Sequence, residues 1–66
     1  MPRHERVAVV VIRAWLEPVG AHPFRARITT RLDLEAGADQ VEAAASIEDV
    51  IVRVERWLRE FSDSST

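Results

Sequence analysis

The chain has no cysteine, no lysine and no tyrosine, only two glycines and three prolines, and its longest apolar run is the six residues from Val7 to Ile12. Without cysteine there is no disulfide scaffold and no zinc site of the cysteine type. A bilayer needs about 20 apolar residues in a row, so the Val7–Ile12 run does not span one. No small-residue cleavage site follows that run, which argues against a signal peptide and for a cytoplasmic protein. Two glycines cannot build a glycine-rich phosphate loop. The absence of lysine makes all nine basic residues arginine. Together with the abundant alanine, this reads as the codon usage of a GC-rich genome, so the number of arginines is not by itself a recognition device. The net charge of −2 gives no overall pull towards nucleic acid or an anionic membrane.

What is present fits one small globular domain, residues 1–66, with 47% hydrophobic and 30% charged residues. Residues 1–5 and 62–66 are polar ends expected to be mobile. About eighteen apolar side chains fall at interior positions, a small core for a chain that must order roughly fifty residues. Domains of this size often rely on oligomerisation.

Residues 6–17 are rich in β-branched side chains and read as a strand. Its even positions, Ala8, Val10, Ile12, Ala14 and Leu16, are all apolar. Its odd positions begin with Val7, Val9 and Val11 and end with Arg13, Trp15 and Glu17. The segment Pro18–Pro23 has turn chemistry. Residues 24–34 alternate cleanly, with Phe24, Ala26, Ile28, Thr30, Leu32 and Leu34 on one side and Arg25, Arg27, Thr29, Arg31 and Asp33 on the other. That period of two marks a strand with one face on a core and one in water. Pairing Leu16 with Phe24 sets Ala14 opposite Ala26 and Ile12 opposite Ile28, so the two apolar faces coincide. It also sets Trp15 opposite Arg25, a pair suited to a cation–π contact. After a second turn at 35–39, residues 40–45 form a short third strand with Val41, Ala43 and Ala45 expected inward.

Residues 46–61 carry apolar side chains at Ile47, Val50, Ile51, Val54, Trp57, Leu58 and Phe61, the stripe of an amphipathic helix. Ser46 is suited to cap its N-terminus, with Asp49 standing in for the usual Glu of a capping box. Glu48 and Asp49 suit the positive end of the helix, and Arg56 and Arg59 the negative end. Val52 lies off the stripe. The expected fold is α+β, β-β-(β)-α: an antiparallel meander of two or three strands packed on one C-terminal helix. Trp57 is expected to bury against Ile12, Ile28 and the even face of the first strand.

Two surfaces are candidate sites. Val7, Val9, Val11 and Trp15 lie away from the helix on an edge strand. Such an edge is an aggregation hazard unless something pairs with it, so these residues are expected to form a protein interface. Arg13, Arg25, Arg27 and Arg31 share that outer face with Trp15 and are the candidate nucleic-acid face. Residues 1–34 hold six arginines against three acids, and residues 35–66 hold three against eight. The two halves are thus charge-complementary.

Chemistry is sparsely represented. His4 and His22 have no ligands spaced around them for a metal. The acids Glu17, Asp33, Glu35, Asp39 and Glu42 and the hydroxyls of Thr29, Thr30 and Ser46 form no pattern of nucleophile, base and acid. Neither catalysis nor a cofactor is expected.

The run Ser46-Ile47-Glu48-Asp49-Val50, following a β-meander, resembles the helix start Thr-Leu-Glu-Glu-Ala in the N-terminal half of HicB-like antitoxins. The resemblance spans about half the chain and implies a meander-plus-helix fold and an antitoxin-like role. That family's Pro-Asp-Leu-Pro-Gly-Cys stretch and the strand after it are missing here. The phrases Arg13-Ala14-Trp15-Leu16-Glu17, Phe24-Arg25-Ala26-Arg27-Ile28 and Arg56-Trp57-Leu58 also resemble short actinobacterial accessory proteins. Some of these accompany larger effector or protease genes, which implies an accessory role beside such a partner. The expected function is therefore a small interaction module that assembles with itself, as an adaptor or accessory subunit. The alternative is nucleic-acid binding through the arginine face.

Overall fold

The structure, a computed structural model, describes residues 6–32 and 37–63. Strands β1 (Val9–Leu16), β2 (Phe24–Arg31) and β3 (Gln40–Ala44) precede one helix, α1 (Ile47–Asp63). They form an antiparallel sheet of order β1-β2-β3. The fold is α+β, β-β-β-α, as the patterning predicts. The pairing of β1 with β2 matches expectation, with Leu16 opposite Phe24, Ala14 opposite Ala26 and Ile12 opposite Ile28. The intervening loop turns at Gly20, whose φ of 123° an L side chain rarely adopts. The Glu17 amide donates to the Pro23 carbonyl at 2.7 Å and closes the hairpin. Asp33 and Leu34 of the expected second strand lie outside the described residues, as do 1–5 and 64–66.

The third strand corrects the expected face. Its register sets Ala44 opposite Ala26, Glu42 opposite Ile28 and Gln40 opposite Thr30. Gln40, Glu42 and Ala44 therefore face the helix, and Val41 and Ala43 face out. Hydrophobicity favours the other phase. It loses because Glu42 accepts hydrogen bonds and ion pairs from the helix on that face, while Ala44 is small enough to lie beneath it.

Helix α1 starts where the Ser46 hydroxyl accepts from the Asp49 amide at 3.0 Å. The Asp49 carboxylate turns to Arg53 Nε, 3.0 Å away, instead of completing a capping box. The helix runs two residues past its expected end, through Ser62 and Asp63, and its last turn holds no base. Arg56 and Arg59 consequently sit inside the helix, where Arg59 pairs with Glu55 at 2.8 Å.

The core is small. Among the described residues only Ala26, Ile28, Ala44, Trp57 and Thr30 are buried. Val10, Phe24, Val50 and Val54 pack against this nucleus. The helix lies over β2 and β3. Trp57 settles among Thr30, Leu32 and Gln40 on one side and Glu42 and Arg53 on the other. It does not cover the first strand, contrary to expectation, and Ile12 and Leu16 remain 46% and 72% exposed. The cause is an anchor on β3. Arg53 bonds both Asp49 and Glu42, and Arg56 reaches Glu42 at 3.6 Å. Asp49, and after it Glu42, hold the Arg53 guanidinium above its ordinary pKa by accepting its hydrogen bonds.

Candidate functional site

β1 is the feature that the fold leaves unfinished. Of its eight residues only Val10 is even half-buried. Among the described residues it is an edge strand, with β2 on one side alone. The Glu17–Pro23 hydrogen bond fixes the phase of its backbone. In an unbroken antiparallel ladder the residues that bond to the neighbour alternate with those that do not. Glu17 bonds towards β2, so Trp15, Arg13, Val11 and Val9 do too. The N–H and C=O groups of Val10, Ile12, Ala14 and Leu16 then point to the open edge.

The outer face holds the predicted interface residues. Val9 (37% exposed), Val11 (56%) and Trp15 (37%) lie on it, and Val7 stands exposed just before the strand begins. The corrected phase of β3 adds Val41, which sequence reasoning placed in the core. The register lines up Val11, Thr29 and Val41 across the three strands. Beside them Val9, Val11, Thr29, Arg31 and Asp39 line an open hollow of about 250 Å³.

The four arginines do share this face, and three of them are engaged within the chain. The Arg13 guanidinium lies 5.8 Å from the Trp15 ring centroid. This contact replaces the expected one with Arg25, which donates to the carbonyls of His22 and Phe24, each at 2.7 Å. Arg31 pairs with Asp39 at 2.8 Å. Arg27 projects into water.

The opposite face carries a second apolar surface that sequence reasoning missed. Ile12, Val50, Ile51, Val54, Glu55 and Leu58 line an open groove of about 350 Å³ between α1 and β1. Ile47, Ile51 and Leu58 are each about half exposed or more. The helical stripe is thus wider than its contact with the sheet: Val50, Val54 and Trp57 face β2 and β3, and Ile51 and Leu58 face the groove beside Ile12.

The candidate acids are dispersed. Asp39 and Glu42 are held by Arg31 and by Arg53 with Arg56, Glu17 closes the hairpin through its backbone amide alone, and Asp33 and Glu35 lie outside the described residues. His22 is exposed in its loop, and His4 lies outside the described residues. No group of three or more metal-ligating side chains occurs among the described residues, nor does a helix long and apolar enough to cross a membrane. Comparison with protein-family models, curated proteins and solved structures finds no match to this chain. Its own surfaces must carry the functional reading.

Proposed function

We propose that the protein is a small, non-enzymatic interaction module of the cytoplasm that works as a homodimer, an adaptor or accessory subunit assembled through its first strand. The observation that carries this reading is β1: an eight-residue edge strand, apolar on both faces, with backbone groups of Val10, Ile12, Ala14 and Leu16 aimed at an edge that no other described strand occupies. Two-fold antiparallel pairing of two such strands answers those groups and makes a continuous six-stranded sheet. Parity restricts the axis. To keep the helix faces together it must pass through a residue, and Val10, Val11 and Ile12 qualify. An axis at Arg13 would set like charges opposite each other. Stacking two outer faces is the competing geometry. It would crowd Arg13, Arg25, Arg27 and Arg31 of both copies into one seam.

Hydrogen exchange followed residue by residue, beside sedimentation equilibrium, tests the proposal. Edge pairing gives a dimer at micromolar concentration whose Val10, Ile12 and Ala14 amides become protected as dimer forms. A dimer in which those amides exchange freely rejects edge pairing, and a well-folded monomer at high concentration rejects self-association.

A second reading, nucleic-acid binding or an antitoxin-like role, is favoured by the clustering of Arg13, Arg25, Arg27 and Arg31 with Trp15 on an open face. The internal engagement of Arg13, Arg25 and Arg31 weighs against it. Phosphate binding weakens steeply with salt. Absence of binding to single-stranded DNA or RNA at low salt would remove this reading.

A further inference from the structure

We propose that the tip of the β1–β2 hairpin docks on an anionic membrane surface: Leu16 and Val19 enter the bilayer interface while Arg13, Arg25 and Arg27 hold lipid phosphates. The site lies within one chain and does not depend on how first strands pair. Val19 is 83% exposed and Leu16 72%, the two most exposed large hydrophobic side chains among the described residues. Single apolar side chains in water are ordinary. These two stand together at one end of the sheet, with Pro18, Ala21 and Pro23 exposed around them. β3 ends with Ala44 opposite Ala26, so the Trp15–Arg25 and Leu16–Phe24 pairs and the loop beyond them run past it. That extension is held in shape by the Glu17–Pro23 hydrogen bond and by Arg25, which donates to the carbonyls of His22 and Phe24.

Behind the tip the uncompensated charge is of one sign. Arg31, Arg53, Arg56 and Arg59 each lie against a carboxylate. Among the described residues Arg13, Arg25 and Arg27 do not: Arg13 rests on Trp15, Arg25 on two carbonyls, and Arg27 projects into water. Arg13 and Arg27 moreover face each other across the strands. Like charges directly opposite destabilise a sheet, and an anion bound beside them relieves that repulsion. Glu17 is the only acid between Val9 and Arg31, and it offsets one of the three cations. The net charge of −2 hides this hairpin because the acids crowd into residues 35–66. The spacing fits a bilayer surface. Three residues separate the Arg13–Arg27 pair from the Leu16–Phe24 pair, about 10 Å along the strands. Interfacial elements sink their apolar side about 5–10 Å into the boundary of headgroups and acyl chains, so the arginines stay level with the phosphates. Trp15, between the two levels, takes the depth that tryptophan favours. Nucleic acid offers the same phosphates but nothing for Leu16 and Val19, and Arg13 already lies over the ring of Trp15, the one aromatic on this face.

Co-sedimentation with vesicles tests the proposal, using phosphatidylcholine alone and phosphatidylcholine mixed equally with phosphatidylglycerol. The protein should bind the mixed vesicles at low salt, bind neutral ones far more weakly, and come off as salt rises. An arginine near an anionic surface contributes about fivefold to partitioning, so exchanging Arg13, Arg25 and Arg27 together for glutamine should weaken binding roughly a hundredfold. Leu16→Ser combined with Val19→Ser keeps the charge and changes only exposed side chains. It should weaken binding by about tenfold or more and leave the thermal melt as it was. Lipid brominated in its acyl chains should quench Trp15 and spare the buried Trp57, and Trp15→Phe should abolish the quenching. Failure to bind mixed vesicles, or equal binding to neutral ones, overturns the proposal. A Leu16→Ser, Val19→Ser variant that binds like the wild type overturns it as well, since the arginines then adsorb without insertion. Binding to single-stranded DNA in place of vesicles, unchanged by Leu16→Ser and Val19→Ser, overturns it in favour of nucleic acid. Sedimentation equilibrium without lipid decides the dimer independently.

Discussion

If first strands pair as proposed, replacing Ile12 by proline should separate the dimer without harming the subunit, and replacing its neighbour Arg13 by proline should do the reverse. The phase set by the Glu17–Pro23 hydrogen bond directs the Ile12 amide to the open edge and the Arg13 amide to β2. Proline has no N–H, and it is tolerated on an edge strand where that N–H would face solvent. In the edge-paired dimer the Ile12 amide of each copy bonds across the interface, so Ile12→Pro removes two hydrogen bonds by symmetry. At about 0.5–1.5 kcal/mol each the loss is about 1–3 kcal/mol. Tenfold in affinity is about 1.4 kcal/mol, so the dimer Kd should rise roughly 5- to 150-fold. The ring, held against the facing strand, pushes the effect towards the upper end. Ile12→Ala is the control: it trims the half-exposed side chain and keeps the amide. Arg13→Pro removes a donor from the β1–β2 ladder, where Arg13 faces Arg27, and should lower the melting temperature of the subunit itself. Sedimentation equilibrium measures the first effect and thermal melts at low concentration the second. If Arg13→Pro leaves the fold unchanged while Ile12→Pro unfolds it, the assigned phase is wrong. If Ile12→Pro dimerises like the wild type, the first strands do not pair.

Three further outcomes follow from the packing. Trp57→Ala should cost about 3–5 kcal/mol, most of what a 66-residue domain has to lose, and abolish a cooperative melt; Trp57→Phe should be milder than its lost area suggests, because it also removes a buried Nε1–H that has no acceptor among the described residues. Glu42→Ala should lower the urea midpoint by releasing Arg53 and Arg56 together, and the difference from wild type should shrink in high salt. Exchanging Arg25, Arg27 and Arg31 together for glutamine should leave the fold intact, with a stability change below about 1.5 kcal/mol by urea melt, since all three lie on the outer face.

How the sequence encodes this fold is clearest where two signals agree. In β2 the alternation of Phe24, Ala26, Ile28 and Thr30 with arginines and Thr29 fixes the buried face. The same parity in β1 fixes the register, because a slip of one residue would expose every apolar side chain of one strand. Helix α1 was legible for the same reason: its stripe and the Ser46 cap point to the same start. In β3 the signals conflict. The strand is short, and its apolar residues Val41 and Ala43 mark the wrong face. The deciding interaction, Glu42 with Arg53 and Arg56, joins residues 11 and 14 positions apart in sequence. Periodicity within a strand is blind to such a pair, which only an opposite charge on the facing side of α1 would betray.

That same pair controls the candidate surfaces. Had Val41 and Ala43 faced inward, α1 would have lacked its charged anchor on β3. Its full stripe, from Ile47 and Ile51 to Val50 and Trp57, could then have centred on the sheet and covered Ile12. With Glu42 inward, Arg53 and Arg56 draw the helix to the β3 edge. One register choice thus places Val41 beside Val11 on the outer face and bares Ile12 and Leu16 on the inner one. The exposure of β1 on both faces is therefore not a shortage of apolar residues, since the helix has Ile47, Ile51 and Leu58 to spare. It follows from where a charged pair pins the helix. The arrangement leaves each chain with an open first-strand edge and, beside it, the apolar groove of Ile12, Ile51 and Leu58.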